Sequence, residues 1–169
     1  MPTSSSQPDL DRVGGAEFGS IERELHVDAA PEVVYEVITT PEHLREWWPD
    51  EAELDPTPGA VGHLVFGDRA AGTAHVPTIT VVEAEPPHRF SFRWVQPDGE
   101  AAVPGNSLLV TFDLVADGAG TRVRMTEAGF RDRGWEVAVL EEHYRDHVSG
   151  WDHFLPQLVE YAARVGAAG

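Results

Sequence analysis

This chain carries several short segments in which apolar and polar residues alternate, and it then ends on one long segment in which they recur every three or four residues. "FGSIERELHVDA" sets Ile21, Arg23, Leu25 and Val27 on one face and Glu22, Glu24 and His26 on the other, as a half-buried strand does. "HRFSFRWV" alternates Phe90, Phe92 and Trp94 with Arg89, Ser91 and Arg93. "GAVGHLVFG" and "TAHVPTITVVEAE" are β-branched runs bounded by glycine or proline, and the turn "DGAG" separates "SLLVTFDLVA" from "TRVRMTEAGF", a hairpin signal. Strands this short and this close in sequence pair antiparallel. From Trp135 to Val165 the stripe Leu140, Tyr144, Val148, Trp151, Leu155, Leu158 and Ala162 predicts an amphipathic helix. A sheet with one apolar face and a helix with one apolar stripe bury both by packing together.

Two details refine this outline. Gly150 and Pro156 lie inside the helical stripe; glycine costs about 1 kcal/mol there and proline removes a hydrogen bond, so a kink or break is expected between them. After the first strand, Asp28 offers a cap and Pro31 a first-turn residue for the helix "PEVVYEVITT", whose buried stripe is Val34, Val37 and Ile38. A second helix, "PEHLREWW", opens on Pro41 and closes at Pro49. Neighbours on a helix point about 100° apart. Trp47 and Trp48 are therefore expected to part, one entering the core and the other covering a rim, an opening or a partner.

Charge and cysteine content exclude whole classes of function. With 29 acidic against 12 basic residues, a formal net charge of -17, the surface repels phosphate backbones and anionic lipid, so neither nucleic acid nor a membrane is an expected partner. Cysteine is absent, which removes disulfides, thiol nucleophiles and thiolate metal sites. The opening "MPTSSSQPDLDRVGGAEFG" has no basic segment followed by an apolar one, and no stretch has the roughly 18 apolar residues of a membrane span. A cytoplasmic, bacterial-type protein is expected. Residues 1–17 read as a disordered tail and residues 18–166 as one domain.

The segments "IERELHVDAAPEVVYEVITTPEHLREWWP", "VVEAEPPHRFSFRW", "GTRVRMTEAGF" and "GWDHFLPQLVEYA", in that order, resemble bacterial proteins similar to the C-terminal domain of the heat-shock protein 90 ATPase activator. The resemblance runs from about Ser20 to Arg164, and that family belongs to the START-like, or SRPBCC, superfamily. It implies an α+β helix-grip fold, like that of the birch-pollen allergen: a curved antiparallel sheet around a long C-terminal helix, two short helices after the first strand, and a cavity between sheet and helix. The second short helix would then plug one end, with Trp47 or Trp48 closing the cavity and the other anchoring the plug. No second domain corresponding to the co-chaperone's N-terminal half is expected from these residues.

Candidate site residues follow. The aromatic series Phe66, Phe90, Phe92, Trp94, Phe112, Trp151 and Phe154 would line a cavity for an apolar or aromatic molecule, or else fill a core. Glu127 shares a strand face with Val123 and Met125, where an acid is costly unless it is paired. It is expected to be solvated where the strand twists open; buried, it would be an acid/base group or a ligand anchor. His143 and His147 stand four apart on the helix, a zinc-chelating spacing, yet no third ligand is signalled, so no metal and no cofactor are expected. His147, one turn before Gly150 and Trp151, is the better functional candidate, with His75 a weaker one.

Three functions stay open: binding of a small apolar molecule, catalysis of a cyclase or hydrolase kind by Glu127 and His147, and a co-chaperone-like or regulatory protein partnership. Convergence of Glu127 and His147 on one void would favour catalysis. An exposed apolar patch at Trp47 and Trp48 would favour a protein partner. The chain is expected to be a monomer or a homodimer.

Overall fold

A computed structural model describes residues 19–97 and 99–168. The expected tail at 1–17, and Phe18 with it, lie outside the described residues. Seven strands form one antiparallel sheet: β1 (Ser20–Val27), β2 (Glu51–Glu53), β3 (Val61–Val65), β4 (Thr78–Glu85), β5 (Arg89–Trp94), β6 (Leu108–Asp117) and β7 (Gly120–Ala128). Their spatial order is β1-β7-β6-β5-β4-β3-β2. The meander from β2 to β7 is thus sequential, and only β1 crosses over to pair with β7. Helices α1 (Pro31–Thr39) and α2 (Pro41–Trp47) fill that crossover, and α3 (Val137–Ala168) follows a 3-10 turn at Arg131–Arg133. This is the helix-grip α+β fold.

The alternation places the core. Phe90, Phe92 and Trp94 of β5, Val110, Phe112 and Leu114 of β6, and Val123 and Met125 of β7 are buried on one sheet face. Leu140, Trp151, Leu155, Leu158 and Ala162 of α3 are buried too, as are Val34, Val37 and Ile38 of α1.

Four local expectations are corrected. Asp28 does not cap α1: the N-cap is Ala30, with no side-chain cap bond, and the Asp28 carboxylate faces His26 Nε2 at 3.2 Å. Pro31 at the first position presets the helical φ and removes one of the N–H groups a cap would serve. Helix α3 is unbroken through Gly150 and Pro156. Pro156 deprives the Asp152 carbonyl of its donor, but both residues are exposed, so water can replace it. β4 starts at Thr78, not Thr73; ahead of it only His75 bridges to Phe66, and Pro77 has no N–H for a ladder. β2 was not anticipated. Its pairing with β3 brings the chain so close that a Cβ on Gly62 would overlap the Glu53 carbonyl oxygen, which is why glycine is needed there.

Candidate functional site

Trp48, Trp94 of β5 and the Trp151 stripe of α3 line a cavity of about 400 Å³ that opens to solvent. Its wall holds seven of the residues singled out from sequence: Trp48, Phe66, His75, Trp94, His147, Trp151 and Phe154. Helix α3 supplies His143, Asp146, His147, Gly150, Trp151 and Phe154, a stripe whose three- and four-residue steps keep one helix face toward the void. His143, weighed with His147 as a histidine facing a cavity or the helix surface, is also on the wall; Asp146, Gly150 and Val95 were not anticipated there, although the stripe through His147 and Trp151 could have yielded the two on α3. Trp47, Phe90, Phe92, Phe112 and Met125 do not reach the cavity. They are at most 2% exposed and form the packed layer behind it.

The paired tryptophans take the two expected roles, Trp47 in the core and Trp48 on the cavity wall, but their rings do not diverge. Trp47 and Trp48 are 2% and 8% exposed and stack at 5.7 Å with their planes 18° apart. The helical 100° relation fails because Trp48 has left the helix, at φ -128° and ψ -94°. Trp47 Nε1 donates to the Val37 carbonyl at 3.1 Å, anchoring α2 to α1. Trp48 turns onto Trp151 at 5.1 Å, Trp94 at 5.3 Å and Phe66 at 5.9 Å. Neither indole offers the exposed patch expected of a partner-binding surface.

Glu127 is not solvated; it is 0% exposed. Its Oε2 accepts from Trp94 Nε1 at 2.7 Å, and its Oε1 accepts from both Trp151 Nε1 and His147 Nδ1 at 2.8 Å. Indole N–H can only donate, so all three contacts converge on the carboxylate as acceptor. This resolves the conflict of an acid on an apolar face: β5, β7 and α3 meet at one charge, and the donors arrive on side chains that are otherwise apolar. With Nδ1–H committed to Glu127, the imidazole of His147 keeps Nε2 for another partner. Its ring is wedged edge-on against Phe130 at 5.4 Å and Trp94 at 5.7 Å.

Next to this group, His143 stacks on Trp135 at 4.1 Å, and the Arg133 guanidinium lies 4.4 Å over the same indole. Burial first, then the neighbouring His147 and Arg133, lower the His143 pKa from its ordinary 6.5, favouring a neutral ring. Among the described residues no group of three or more His, Asp or Glu side chains is placed to hold a metal ion, and no helix is long and apolar enough to cross a membrane.

Residues 28–163 match the family model described as Activator of Hsp90 ATPase homolog 1-like protein. No curated protein matches the chain. Among solved structures, protein MLL2253 of Mesorhizobium loti is similar at 24% identity and a TM-score of 0.68, covering 86% of this chain and 97% of that one. Protein NE0264 of Nitrosomonas europaea aligns at 18% identity and 0.70, covering 87% and 96%. The Aha1 dimer of Colwellia psychrerythraea aligns at 20% and 0.65, covering 85% and 96%. At these identities the structural likeness speaks for the fold.

Proposed function

The chain belongs to the Activator of Hsp90 ATPase homolog 1-like family, and within it we propose that this member binds a small apolar or aromatic molecule in the cavity between sheet and helix. The observation that carries the reading is the wall: three tryptophans and two phenylalanines around a void of about 400 Å³, with His147 fixed among them by a buried carboxylate. Ligand sites combine an apolar lining with a few oriented polar groups, and Nε2 of His147 is such a group. Native mass spectrometry of freshly purified protein, together with titration by the neutral dye N-phenylnaphthylamine, tests it. Binding should quench tryptophan emission, and Gly150→Leu, which projects into open space on the wall, should remove the quenching while the fold is kept. A dye response unchanged by Gly150→Leu would place binding elsewhere.

One observation favours a second reading, catalysis. Glu127 and His147 meet at 2.8 Å, and a histidine oriented by a buried carboxylate is a serviceable general base. Only His147 reaches the void, however, so it alone would touch a substrate. Hydrolysis of an activated ester that disappears in His147→Ala but survives in a surface histidine variant would support this reading. The protein-partner reading loses its expected surface with the burial of Trp47 and Trp48.

A further inference from the structure

Among the polar groups on the cavity wall, His147 is both fixed in place and left with a free atom. It donates Nδ1–H to Glu127 at 2.8 Å, and the rings of Phe130 and Trp94 stand nearly perpendicular to its own, at 89° and 72°. The imidazole cannot flip without losing that bond. Its tautomer is set by the same bond, so in the neutral ring Nε2 presents a lone pair and can only accept. Nε2 makes no hydrogen bond among the described residues, and the side chain keeps 16% of its surface accessible. Unlike the sealed Tyr35 hydroxyl, Nε2 does not belong to the buried atoms without a partner, so it retains access to the cavity that His147 lines.

The rest of the wall narrows what that atom receives. The indole N–H groups of Trp94 and Trp151 are spent on Glu127, so both rings show a ligand only apolar faces and edges. His143 is oriented by stacking on Trp135 rather than by a carboxylate. His75 and Asp146 are exposed to solvent. No arginine or lysine lines the cavity, and Asp146 shares the sign of the -17 net charge, so an anionic headgroup finds no counter-charge here. An oriented acceptor on an apolar bed without a cation suits a neutral donor.

We infer that the ligand is a phenol or a related enol: its apolar body lies among Trp48, Trp94 and Trp151, and its O–H donates to Nε2 of His147. The inference rests on the cavity-binding reading above and adds the polar group that the ligand carries. Acidity of the hydroxyl is what the site selects. As the proton moves toward Nε2, positive charge grows on an imidazole that already lies 2.8 Å from the Glu127 carboxylate. The buried charge therefore strengthens the bond as the donor becomes more acidic, and an aliphatic alcohol gains less.

Calorimetric titration with naphthol, naphthylmethanol, methoxynaphthalene and naphthoate, all substituted at the same ring position, separates the two readings, since the four share the apolar body. Naphthol should bind about fivefold or more tighter than methoxynaphthalene, the effect of one net hydrogen bond, with naphthylmethanol between them and naphthoate weakest. Excited beyond the tryptophan band, bound naphthol should emit as naphtholate, because excitation acidifies the hydroxyl and Nε2 takes the proton. In His147→Phe, which keeps a ring beside Phe130 and Trp94, bound naphthol should emit in its neutral form and the ratio of naphthol to methoxynaphthalene affinity should fall toward one. His88→Gln, exposed between β4 and β5, should change neither. The wild-type titrations decide the question even where His147→Phe fails to fold. Equal affinities for naphthol and methoxynaphthalene, naphthylmethanol as tight as naphthol, tightest binding of naphthoate, or a ratio that falls in His143→Phe but not in His147→Phe overturns the phenol inference and leaves the apolar-cavity reading standing. Failure of all four to bind overturns both.

Discussion

Replacing Glu127 is the sharpest test of the site's construction. In Glu127→Ala three donors lose their acceptor. Trp94 and Trp151 are 7% and 3% exposed, so their N–H groups have little access to water, and each orphaned buried donor costs about 1–3 kcal/mol. The His147 side chain is 16% exposed and recovers part of its loss by hydration. The sum is about 3–6 kcal/mol, a large share of the roughly 5–15 kcal/mol typical of a whole domain. Glu127→Gln separates charge from shape. Its one carbonyl oxygen can still accept, but its NH2 group must face a donor, so at least one contact becomes repulsive, at a cost of about 2 kcal/mol. For a domain of this size that lowers Tm by roughly 4–8 °C. Urea unfolding followed by tryptophan emission and by far-UV circular dichroism measures both variants. Adding Trp94→Phe to Glu127→Gln removes one donor, so the glutamine should then cost less than it does in the wild-type background. Stability of Glu127→Gln within about 0.5 kcal/mol of wild type, or strict additivity with Trp94→Phe, would refute the shared-acceptor arrangement.

Other outcomes follow from single residues. Gly150→Ala meets nothing within contact distance and should raise stability by about 1 kcal/mol through helix propensity alone, read as a higher urea midpoint at unchanged slope. Tyr35 carries a buried hydroxyl without a hydrogen-bond partner among the described residues, and burial raises its pKa; Tyr35→Phe should be as stable as wild type or about 1 kcal/mol more so. His143 has a folded-state pKa below its ordinary 6.5, so the unfolded chain binds the proton more readily. Its contribution is therefore fully present above pH 6.5 and is lost as the pH falls through that value toward the folded pKa; in His143→Phe, which keeps a ring on Trp135, stability should change less between pH 7 and pH 5. Chelation by EDTA should leave the melting curve unchanged, since no described cluster suits a metal.

The parts of the fold legible in the sequence were those whose signal is periodic. Alternation marked β1, β5 and the Glu127 face of β7, the turn "DGAG" marked the β6–β7 hairpin, and the three- and four-residue stripe marked α3, because burial on one face repeats with the geometry of the element. The parts that were missed have no period to read. β2 has three residues, two of them exposed glutamates, and exists because β3 lies beside it. Trp48 escaped the helical rule by one residue, and sequence does not locate a helix end that closely. Gly150 and Pro156 suggested a break that exposure of the solvent face made unnecessary.

Glu127 shows where the limit lies. Its position on an apolar face was plain from alternation, but its partners stand 33 residues before it and 20 and 24 after it, and only the closed grip brings them together. The identity of those partners is then constrained in turn. An acceptor sunk in an aromatic wall needs donors that carry little other polarity, and indole supplies one N–H on a large apolar body. Phenylalanine at Trp94 or Trp151 would pack and leave the carboxylate short of a bond. Of the three donors, histidine alone has a second nitrogen, so the two tryptophans close the charge off while His147 extends it one hydrogen bond toward the cavity. A ligand would meet the buried carboxylate only through that ring. Changes at His147 should accordingly alter which ligands bind far more than how stably the protein folds, whereas changes at Trp94 or Trp151 should do both.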